Sequence, residues 1–586
     1  MTDRTKTGLY IIQAAAILGV IGNIMLRQTP WGLNAFLFVT LFVAALLMLM
    51  RRSRPELLDL TNLSLAGAML FFGTMFLIRD SIEMRVADTI AIIIAMGVLM
   101  LGSFDVQARI GGAFHYIAGL VTAALSSFIG GFLVLGADID WKSMPGNSLS
   151  RVIFAVLRGL AIALPLVLIF GGLFMAADAV FEGWVNRAIN FELDTVISHV
   201  MLTSVLAWLT AGYFRSAVGG SFATAATATV APPAAAEERS DDSSYVQKVA
   251  DEPVEDNSLP NNATVVEHIN APDDAASVET SAESAGVPPA EPRKRDWQNI
   301  ESSKLPSVFT LGTVEIAIIL GLLNALFLAF VIAQVPYLFG GMELVQNTPD
   351  FKLAEYARRG FGELVAVSAL VLPILLVGHW LVRKDKPVTG TLFRVLAGLQ
   401  IALLFVIMAS AVQRLVLLTG NLGYGLTTIR LYPLIFMTWL AIVFVWFAAT
   451  VLRGARQHFA WGALWSAFVI LGVTNLMNPD KFIVEHNVAL MREGREFDAD
   501  YNANLSDDAL PAVFLAIPDM NDEDARTAAF RLARRYCEKL EESDLRSWNL
   551  SRSRASSLLL ENNAFVDQLG GCKSRRLDPH AYHSLD

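Results

Sequence analysis

Apolar residues along the chain are gathered into long unbroken blocks that are separated by short polar segments. Blocks of about 20 residues with few charges are typical of helices that cross a membrane. Their continuous character, without alternation, excludes a transmembrane β-barrel. About twelve spans are predicted in two sets, at residues 8–26, 31–50, 62–78, 86–102, 111–136, 152–176, 194–217, and then 307–333, 361–381, 388–411, 428–451 and 459–477.

The segment between the two sets has a different composition. It is rich in Ala, Ser, Pro and acidic residues, as in "APPAAAEERSDDSSY", and has no apolar period. Low hydrophobicity with many acids and prolines indicates a disordered linker. The predicted organisation is a first transmembrane set (1–217), a disordered acidic linker (218–305), a second transmembrane set (306–477) and a soluble C-terminal helical domain (478–586).

The C-terminal domain, called the tail below, contains polar residues ahead of apolar stripes, which indicates where its helices begin. Ser506 precedes two aspartates, Asn521 precedes "DEDARTAAF", and Ser543 precedes "DLRSWNLS". The side-chain oxygen of such a residue accepts a hydrogen bond from a free backbone N–H of the first helical turn. Acidic side chains in that turn are stabilised by the helix dipole. Each is therefore predicted to be a helix N-cap, and the fold class is all-α: a polytopic helix bundle with a small helical tail.

Composition agrees with a membrane protein. The chain has 586 residues, of which 54% are hydrophobic and 17% charged, against about 25% charged in soluble domains. Its net charge of -10 argues against nucleic-acid binding, which needs a basic face. The expected partner is the lipid bilayer, with another envelope or signalling protein meeting the tail or the linker. The oligomeric state is left open.

Lysines and arginines in short loops indicate orientation, because they favour the cytoplasmic side. In the second set, 383–386 ("RKDK"), Arg453 and Arg456 share the side of the linker, which predicts a cytoplasmic linker and an extracytoplasmic tail. In the first set, 51–54 ("RRSR") predicts a cytoplasmic N-terminus, and seven spans would then place the linker outside. The two sets disagree by one crossing, unless one block is re-entrant or split.

Charged residues stand at the start of the span "EYARRGFGELVAVSALVLPILL". At 100° per residue, Glu355, Arg359 and Glu363 lie on one helical face, and Arg358 flanks Glu355. An arginine between two carboxylates anchors a helix start at the membrane boundary. The alternative is functional: ionisable groups within a membrane are also candidates for contacts with a ligand or an ion. We combine them in one candidate polar cluster: Glu355, Arg358, Arg359, Glu363, Glu315, Arg394 and Asp178.

The two cysteines, Cys537 and Cys572, both lie in the tail. Two antiparallel tail helices would bring them toward one end of a hairpin, and an extracytoplasmic compartment permits oxidation. A disulfide between them is one hypothesis, and a buried thiol with a separate free thiol is the other.

No catalytic or metal-binding signature is present. The sequence has no HExxH, GxSxG or P-loop motif, and the histidines lack metal-ligand spacing. We therefore predict no catalytic, cofactor-binding or metal-binding residues and no cofactor, and the sequence does not favour an enzyme.

Several segments resemble an uncharacterised bacterial membrane family, domain of unknown function 4173 (DUF4173). They are "FGGLFMAADAVF", "VPYLFGG", "LAEYARRGFGELVAVSALVLPILL", "IRLYPLIFMTWLAIVFVWFAATVLRG", "NPDKFIVEHN" and "LRSWNLSRSRA". The resemblance covers both membrane sets and reaches into the tail. It implies a bacterial inner-membrane setting and transfers no catalytic role.

Two function hypotheses remain. The first is a sensory, regulatory or scaffolding protein of the bacterial cell envelope, in which the tail is coupled to the bundle. The second is a transporter or channel for a small solute or ion, with Glu315, Glu363 and Arg394 around a polar cavity.

Overall fold

A computed structural model of the chain describes residues 2–139, 193–219, 310–339, 361–382, 387–416, 419, 425–540 and 544–562. Helices make up nearly all of these residues, and an isolated bridge between Leu311 and Val382 is the one β pairing among them. The predicted all-α class is confirmed. The predicted linker falls almost wholly on residues outside the described ranges and stays a prediction.

Eleven described helices are long and apolar enough to cross a membrane. Each coincides with a predicted span, and the twelfth predicted span, 152–176, lies outside the described residues. In chain order they are α1 (Asp3–Leu26), α2 (Leu33–Ser53), α3 (Leu60–Ile78), α4 (Ile82–Leu99), α5 (Ala113–Leu133), α6 (Leu193–Gly219), α7 (Thr313–Phe339), α8 (Phe361–Leu381), α9 (Pro387–Val416), α10 (Thr428–Thr450) and α11 (Phe459–Met477).

Large apolar side chains cover the outside of these helices. Met48, Phe132 and Leu322 are examples, each about two-thirds exposed (64%, 67% and 69%). Lipid tails are as apolar as these side chains, so helices in a bilayer need no polar outer face. Inside, small residues allow close contact: a Cβ on Gly119 of α5 would lie 2.4 Å from the carbonyl oxygen of Gly97 in α4.

The apolar interior consists of two main clusters, and α11 belongs to both. Phe468 packs in the cluster of the first set, with its ring centroid 5.3 Å from that of Phe72. Phe459 packs in the cluster of the second set, 5.6 Å from Phe447. Helix α11 therefore connects the two sets of spans.

The tail contains α12 (Pro479–Arg492), α13 (Ala499–Asn504), α14 (Leu510–Ala516), α15 (Asp522–Leu540) and α16 (Leu550–Glu561). A third apolar cluster includes Ile483, Leu510 and Leu559. Helix α12 follows α11 after Asn478 alone, which adopts a left-handed backbone (φ 59°) and caps α12 by accepting from the N–H of Lys481. Asparagine is among the residues that tolerate this conformation.

The predicted tail caps are correct in one case. Asn521 accepts from the N–H groups of Glu523 and Asp524 at the start of α15. Ser506 is not a cap, because α14 begins later, at Leu510, and its hydroxyl donates to Asp480 instead. Ser543 lies outside the described residues, and the cap of the next helix is Asn549.

The bundle has two ends, which we call the N-terminal end and the tail end. At the N-terminal end, Thr7 contacts Ser53 (3.4 Å between hydroxyl oxygens) and Arg54 pairs with Asp105. At the tail end, the α1–α2 and α3–α4 turns contact the tail. One such contact is from Arg546 Nη1 to the carbonyl oxygen of Ile24, at 2.7 Å.

Both described flanks of the linker lie at the N-terminal end. Helix α6 runs antiparallel to α1, since His199 bonds Asn23 and Arg215 shares Asp138 with Arg4. In the second set, α10 begins at the tail end. Helix α9 comes directly before α10 in the chain and crosses the bundle, so α9 begins at the N-terminal end. Helix α7 begins beside it, where Thr313 bonds Thr389.

These contacts remove the disagreement between the two sets. Helix α5 begins just after the turn Ala108–Ile110, which lies against Arg456–His458, and its extension ends at Asp138, beside Arg4. The helix at 111–136 therefore begins and ends at the N-terminal end, so residues 51–54 of the first set and Arg453 and Arg456 of the second set lie at the same end.

Candidate functional site

Polar and charged side chains are concentrated where the tail meets the tail end of the bundle. We call this region the docking junction. It joins the α3–α4 turn (79–81), the start of α12, the segment 506–508 and the segment that leads into α16 (545–552). Its principal residues are Arg79, Asp80, Ser81, Asp480, Ser506, Asp507, Asp508, Asn549, Ser551 and Arg552.

Asp508 occupies the middle of the docking junction, and its side chain is 1% exposed. Its Oδ2 accepts from the backbone N–H of Asp80 (2.7 Å) and of Ser81 (2.9 Å). Its Oδ1 accepts from the hydroxyl of Ser551 (2.5 Å) and lies 3.5 Å from Arg79 Nη1. The two amides precede α4, and a carboxylate is stabilised at such a helix N-terminus.

Asn549 connects two helix ends and is fully buried. Its Nδ2 donates to the carbonyl oxygens of Phe76 (2.8 Å) and Arg79 (2.9 Å), which the end of α3 leaves without helical partners. Its Oδ1 accepts from the N–H groups of Ser551 and Arg552 at the start of α16. One amide side chain therefore holds a transmembrane helix and the last described tail helix together.

Two arginines cross the docking junction. Arg552 Nη1 donates to Asp80 Oδ1 (2.8 Å), and its Nη2 lies 3.2 Å from the carbonyl oxygen of Trp31 in the α1–α2 turn. Arg79 donates through Nε to the carbonyl oxygen of Asn475 (2.6 Å), near the end of α11. The guanidinium groups thus link three transmembrane segments to the tail.

Burial favours the neutral forms of two charged groups of the docking junction, Asp80 and Arg552. It raises the pKa of Asp80 above its usual range, and Asp507 adds to this, while Arg552 and Arg85 oppose it. Burial likewise lowers the pKa of Arg552, although Asp80 opposes the change. In this pair desolvation outweighs mutual attraction, which is common for buried ion pairs.

Asp480, in the first turn of α12, is the most perturbed acid of the docking junction. Burial raises its pKa to about 6, with smaller contributions from Asp508 and Glu83, and the hydroxyl of Ser506 opposes the shift. Its Oδ2 accepts from the hydroxyl and the N–H of Ser506, and its buried Oδ1 has no partner among the described residues. The group therefore changes charge close to neutral pH.

The contacts of the docking junction attach the tail to the transmembrane bundle. The carboxylates of the docking junction accept hydrogen bonds from backbone amides, hydroxyls and guanidinium groups of other segments, apart from the buried Oδ1 of Asp480. Across the described residues, no group of three or more His, Cys, Asp or Glu side chains could hold a metal ion.

The structure does not bring the predicted polar cluster together in its described part. Glu315, Glu363 and Arg394 lie on α7, α8 and α9, and all three are exposed. Glu355, Arg358, Arg359 and Asp178 lie outside the described residues. Cys537 lies in α15, and Cys572 is outside the described residues. The cluster and the disulfide stay predictions.

Sequence reasoning missed the docking junction, although two signals pointed to it. The first is the adjacent pair Arg79 and Asp80 in a turn of three residues between two spans. The second is "LRSWNLSRSRA", which is quoted above as a family signature and contains Asn549 and Arg552.

Eleven helices in the described part of the chain are long and apolar enough to cross a membrane, and a helical tail is docked on them. These features define the class of this protein, a multi-pass helical membrane protein. The model of the family described as a domain of unknown function (DUF4153) matches residues 66–250 and 285–514, and the chain belongs to that family. No curated protein and no solved structure matches it.

The family differs from the one that the sequence segments resembled. The expectation of a membrane protein family of unknown function is confirmed, but DUF4173 is wrong. Segments such as "IRLYPLIFMTWL" are dominated by apolar residues that any lipid-facing helix favours, so they separate related membrane families poorly. The matched ranges include Arg79–Ser81 and Ser506–Asp508, whereas Asn549 and Arg552 lie beyond them.

Proposed function

We propose that this protein is a sensory, regulatory or scaffolding protein of the bacterial inner membrane, in which the docked tail and the bundle act as one coupled unit. The observation that supports this most is Asp508. A single buried carboxylate receives hydrogen bonds from the turn between two transmembrane helices and from the last described tail helix.

Such a junction suits a protein with two states. Undocking would break the Asp508, Asn549 and Arg552 contacts together, because they join the same segments. Breaking one partner of a buried charge pair costs about 3–5 kcal/mol, so intermediate positions of the tail are unfavourable. Interfaces of this kind are bistable and convert a small shift at one site into a larger one elsewhere.

The proposed orientation places the tail outside the cytoplasm. Arg51 and Arg52 lie in the last turn of α2, and Arg453 and Arg456 lie between α10 and α11, all at the N-terminal end of the bundle. Cationic loops favour the cytoplasmic side. The linker would then be cytoplasmic and the tail extracytoplasmic, where it meets an envelope or signalling partner.

Hydrogen–deuterium exchange of the purified protein in lipid nanodiscs tests the coupling. In Asp508→Ala, peptides that cover 76–82, 505–509 and 545–552 should all exchange faster, and peptides from α9 should not change. The matched control is Asp519→Ala, which removes a half-exposed carboxylate that pairs with Arg492. Faster exchange in only one of the three segments would contradict a coupled junction.

A transporter is the second candidate, and one observation favours it. Gln400, midway along α9, is fully buried, and neither its Oε1 nor its Nε2 has a partner among the described residues. Asn324 of α7 donates to the carbonyl oxygen of Leu396, one turn away, and leaves its own Oδ1 without a partner in the same ranges. Polar groups at this depth often mark solute pathways.

Flux measurements on proteoliposomes distinguish the two functions. The coupled sensor or scaffold predicts no proton or potassium flux above that of empty vesicles. A flux that Gln400→Leu abolishes, and that Asp508→Ala leaves intact, would favour the transporter instead.

A further inference from the structure

Two helices from opposite ends of the sequence meet through a buried carboxyl–amide pair within the bundle. Asp88 lies on α4 and Asn475 near the end of α11, and both side chains are 0% exposed. Asn475 Nδ2 donates to Asp88 Oδ1 at 2.8 Å. The pair lies inside segments long and apolar enough to cross a membrane.

Each member of this pair has a second oxygen that lacks a donor. Asp88 Oδ2 and Asn475 Oδ1 have no hydrogen-bond partner among the described residues. Asn475 Nδ2 also contacts the carbonyl oxygen of Leu471 (3.1 Å), which accounts for its second N–H. Both unpartnered atoms are acceptors in the charged form of Asp88, and buried acceptors without donors are costly.

We propose that Asp88 and Asn475 form an intramembrane proton-binding site. A proton on Asp88 Oδ2 donates to Asn475 Oδ1, so that the carboxylic acid and the amide are joined by two hydrogen bonds. One proton supplies the missing donor for both oxygens and removes a negative charge from an apolar region.

No cation of the described part of the chain forms an ion pair with Asp88, and its hydrogen bond from Asn475 is the one that its carboxylate accepts there. The neighbouring helices α3 and α11 contain no charged residue, and the one side chain of α5 that can carry a positive charge is His115, in its first turn. On α4 itself, Glu83 accepts from Ser81, and Arg85 Nη2 lies 4.0 Å from Asp80 Oδ1.

The site is adjacent to the docking junction. The carbonyl oxygen of Asn475 accepts from Arg79 Nε, and Arg79 Nη1 lies 3.5 Å from Asp508. Asn475 therefore contacts Asp88 through its side chain and Arg79 through its backbone. Loss of the proton from Asp88 would place a negative charge next to Asn475, and so close to the arginine that contacts Asp508.

Infrared spectroscopy of the purified protein tests the site directly. At pH 7, the difference between wild type and Asp88→Asn should contain the C=O stretch of one protonated carboxyl, which shifts in heavy water. Asn475→Ala should move this band, because it removes both hydrogen bonds. The control is Asp105→Asn, which removes an exposed carboxyl (88%) and should leave the band in place. Loss of carboxylate bands in Asp88→Asn would overturn the proposal.

Measurements of thermal stability distinguish a bound proton from a bound metal cation. They are a second test that is independent of the infrared spectrum. The amide of Asp88→Asn can donate to Asn475 Oδ1 as the protonated acid does, so this variant should unfold at the wild-type rate. Asp88→Ala leaves that oxygen unsatisfied and should unfold about tenfold faster. A wild-type protein stabilised by sodium chloride but not by choline chloride, with no such difference in Asp88→Asn, would identify a cation site and overturn the proposal.

Discussion

At Asp508, two backbone amides and one hydroxyl from different parts of the chain converge on one carboxylate. Asp508→Asn keeps the shape but presents an N–H₂ group to one of these donors. We expect a loss of about 2–4 kcal/mol, because bonds to a charged acceptor are the stronger ones and a buried donor is left unpaired.

The measurement for Asp508→Asn is the urea-induced release of the tail, followed by proteolysis at the exposed segment 493–496. The control, Asp519→Asn, affects an exposed pair and should cost less than about 1 kcal/mol. Equal protease resistance of Asp508→Asn and wild type would show that the amide contacts contribute little.

Asp480 gives the docking junction a defined dependence on pH. Its pKa of about 6 in the folded protein, against 3.8 ordinarily, means that the folded state binds the proton more tightly. The contribution of Asp480 to the free energy of unfolding is therefore largest at low pH, and it decreases as the pH rises toward about 6. Asp480→Asn should abolish this decrease and be more stable than wild type at pH 8, by on the order of 3 kcal/mol.

Thermal unfolding of wild type and Asp480→Asn at pH 5 and pH 8 measures this difference. The amide oxygen can still accept from Ser506, so the folded geometry is retained. A variant that is destabilised by the same amount at both pH values would show that Asp480 acts through packing and not through its charge.

At the scale of helices, Asn549 determines whether α16 stays attached to α3. Asn549→Ala removes the cap of α16, which costs about 0.5–2 kcal/mol, and also leaves two carbonyl groups of α3 without donors. Amide exchange should become faster at both 76–80 and 550–554. Asn521→Ala is the matched control, because Asn521 caps α15 alone, and faster exchange should then be limited to the start of α15. Faster exchange in Asn549→Ala at α16 only would show that α3 does not depend on it.

The α1–α2 turn also approaches the tail too closely for an added side chain. A Cβ at Gly32 would lie 2.3 Å from the carbonyl oxygen of Trp548, and the N–H of Leu33 donates to that same oxygen (2.8 Å). Gly32→Ala should therefore displace the segment before α16 and make it sensitive to protease.

Gly67→Ala is the control for Gly32→Ala, because Gly67 lies in α3 with no heavy atom within 4 Å of an added Cβ. Alanine is favoured over glycine in helices by roughly 0.5–1 kcal/mol. We therefore expect Gly67→Ala to be neutral or stabilising. Similar protease sensitivity in both variants would rule out a specific contact at Gly32.

For the whole molecule, the orientation is testable with paired cysteines in a variant without Cys537 and Cys572. Glu493→Cys reports on the tail, and Arg453→Cys and Ser243→Cys report on the N-terminal end and the linker. A thiol reagent that does not cross the inner membrane should label only Glu493→Cys in intact cells. All three positions should react once that membrane is permeabilised. Labelling of Ser243→Cys in intact cells would place the linker outside.

The transmembrane helices could be predicted from the sequence because their pattern is local. An apolar block of sufficient length has one stable arrangement in lipid, since a helix satisfies its own backbone. Eleven predicted spans accordingly coincide with described helices. For one of them, α5, the sequence did not indicate that both ends lie at the N-terminal end, because hydropathy measures length and composition but not where the two ends of a segment lie.

The docking junction could not be predicted in the same way. Asp508 and Asp80 are separated by 428 positions, and nothing local indicates which polar turn a distant aspartate will meet. The charged residues singled out from the sequence, Glu315 and Arg394 among them, were notable for their depth in apolar blocks. The residues that join the tail to the bundle lie just outside such blocks, where polar residues are ordinary.

The position of α11 in both apolar clusters determines the order in which the molecule can be completed. Ribosomes release the first spans long before residues 459–477 exist, yet Leu464 and Phe468 fill the cluster formed by those spans. During synthesis, the early helices must therefore remain in the bilayer with an open groove and an unpaired Asp88. Because domains generally fold in the order in which they are made, the bundle closes only after α11 has been made, and a chain interrupted before α11 would keep an unfilled apolar groove that quality-control proteases can recognise.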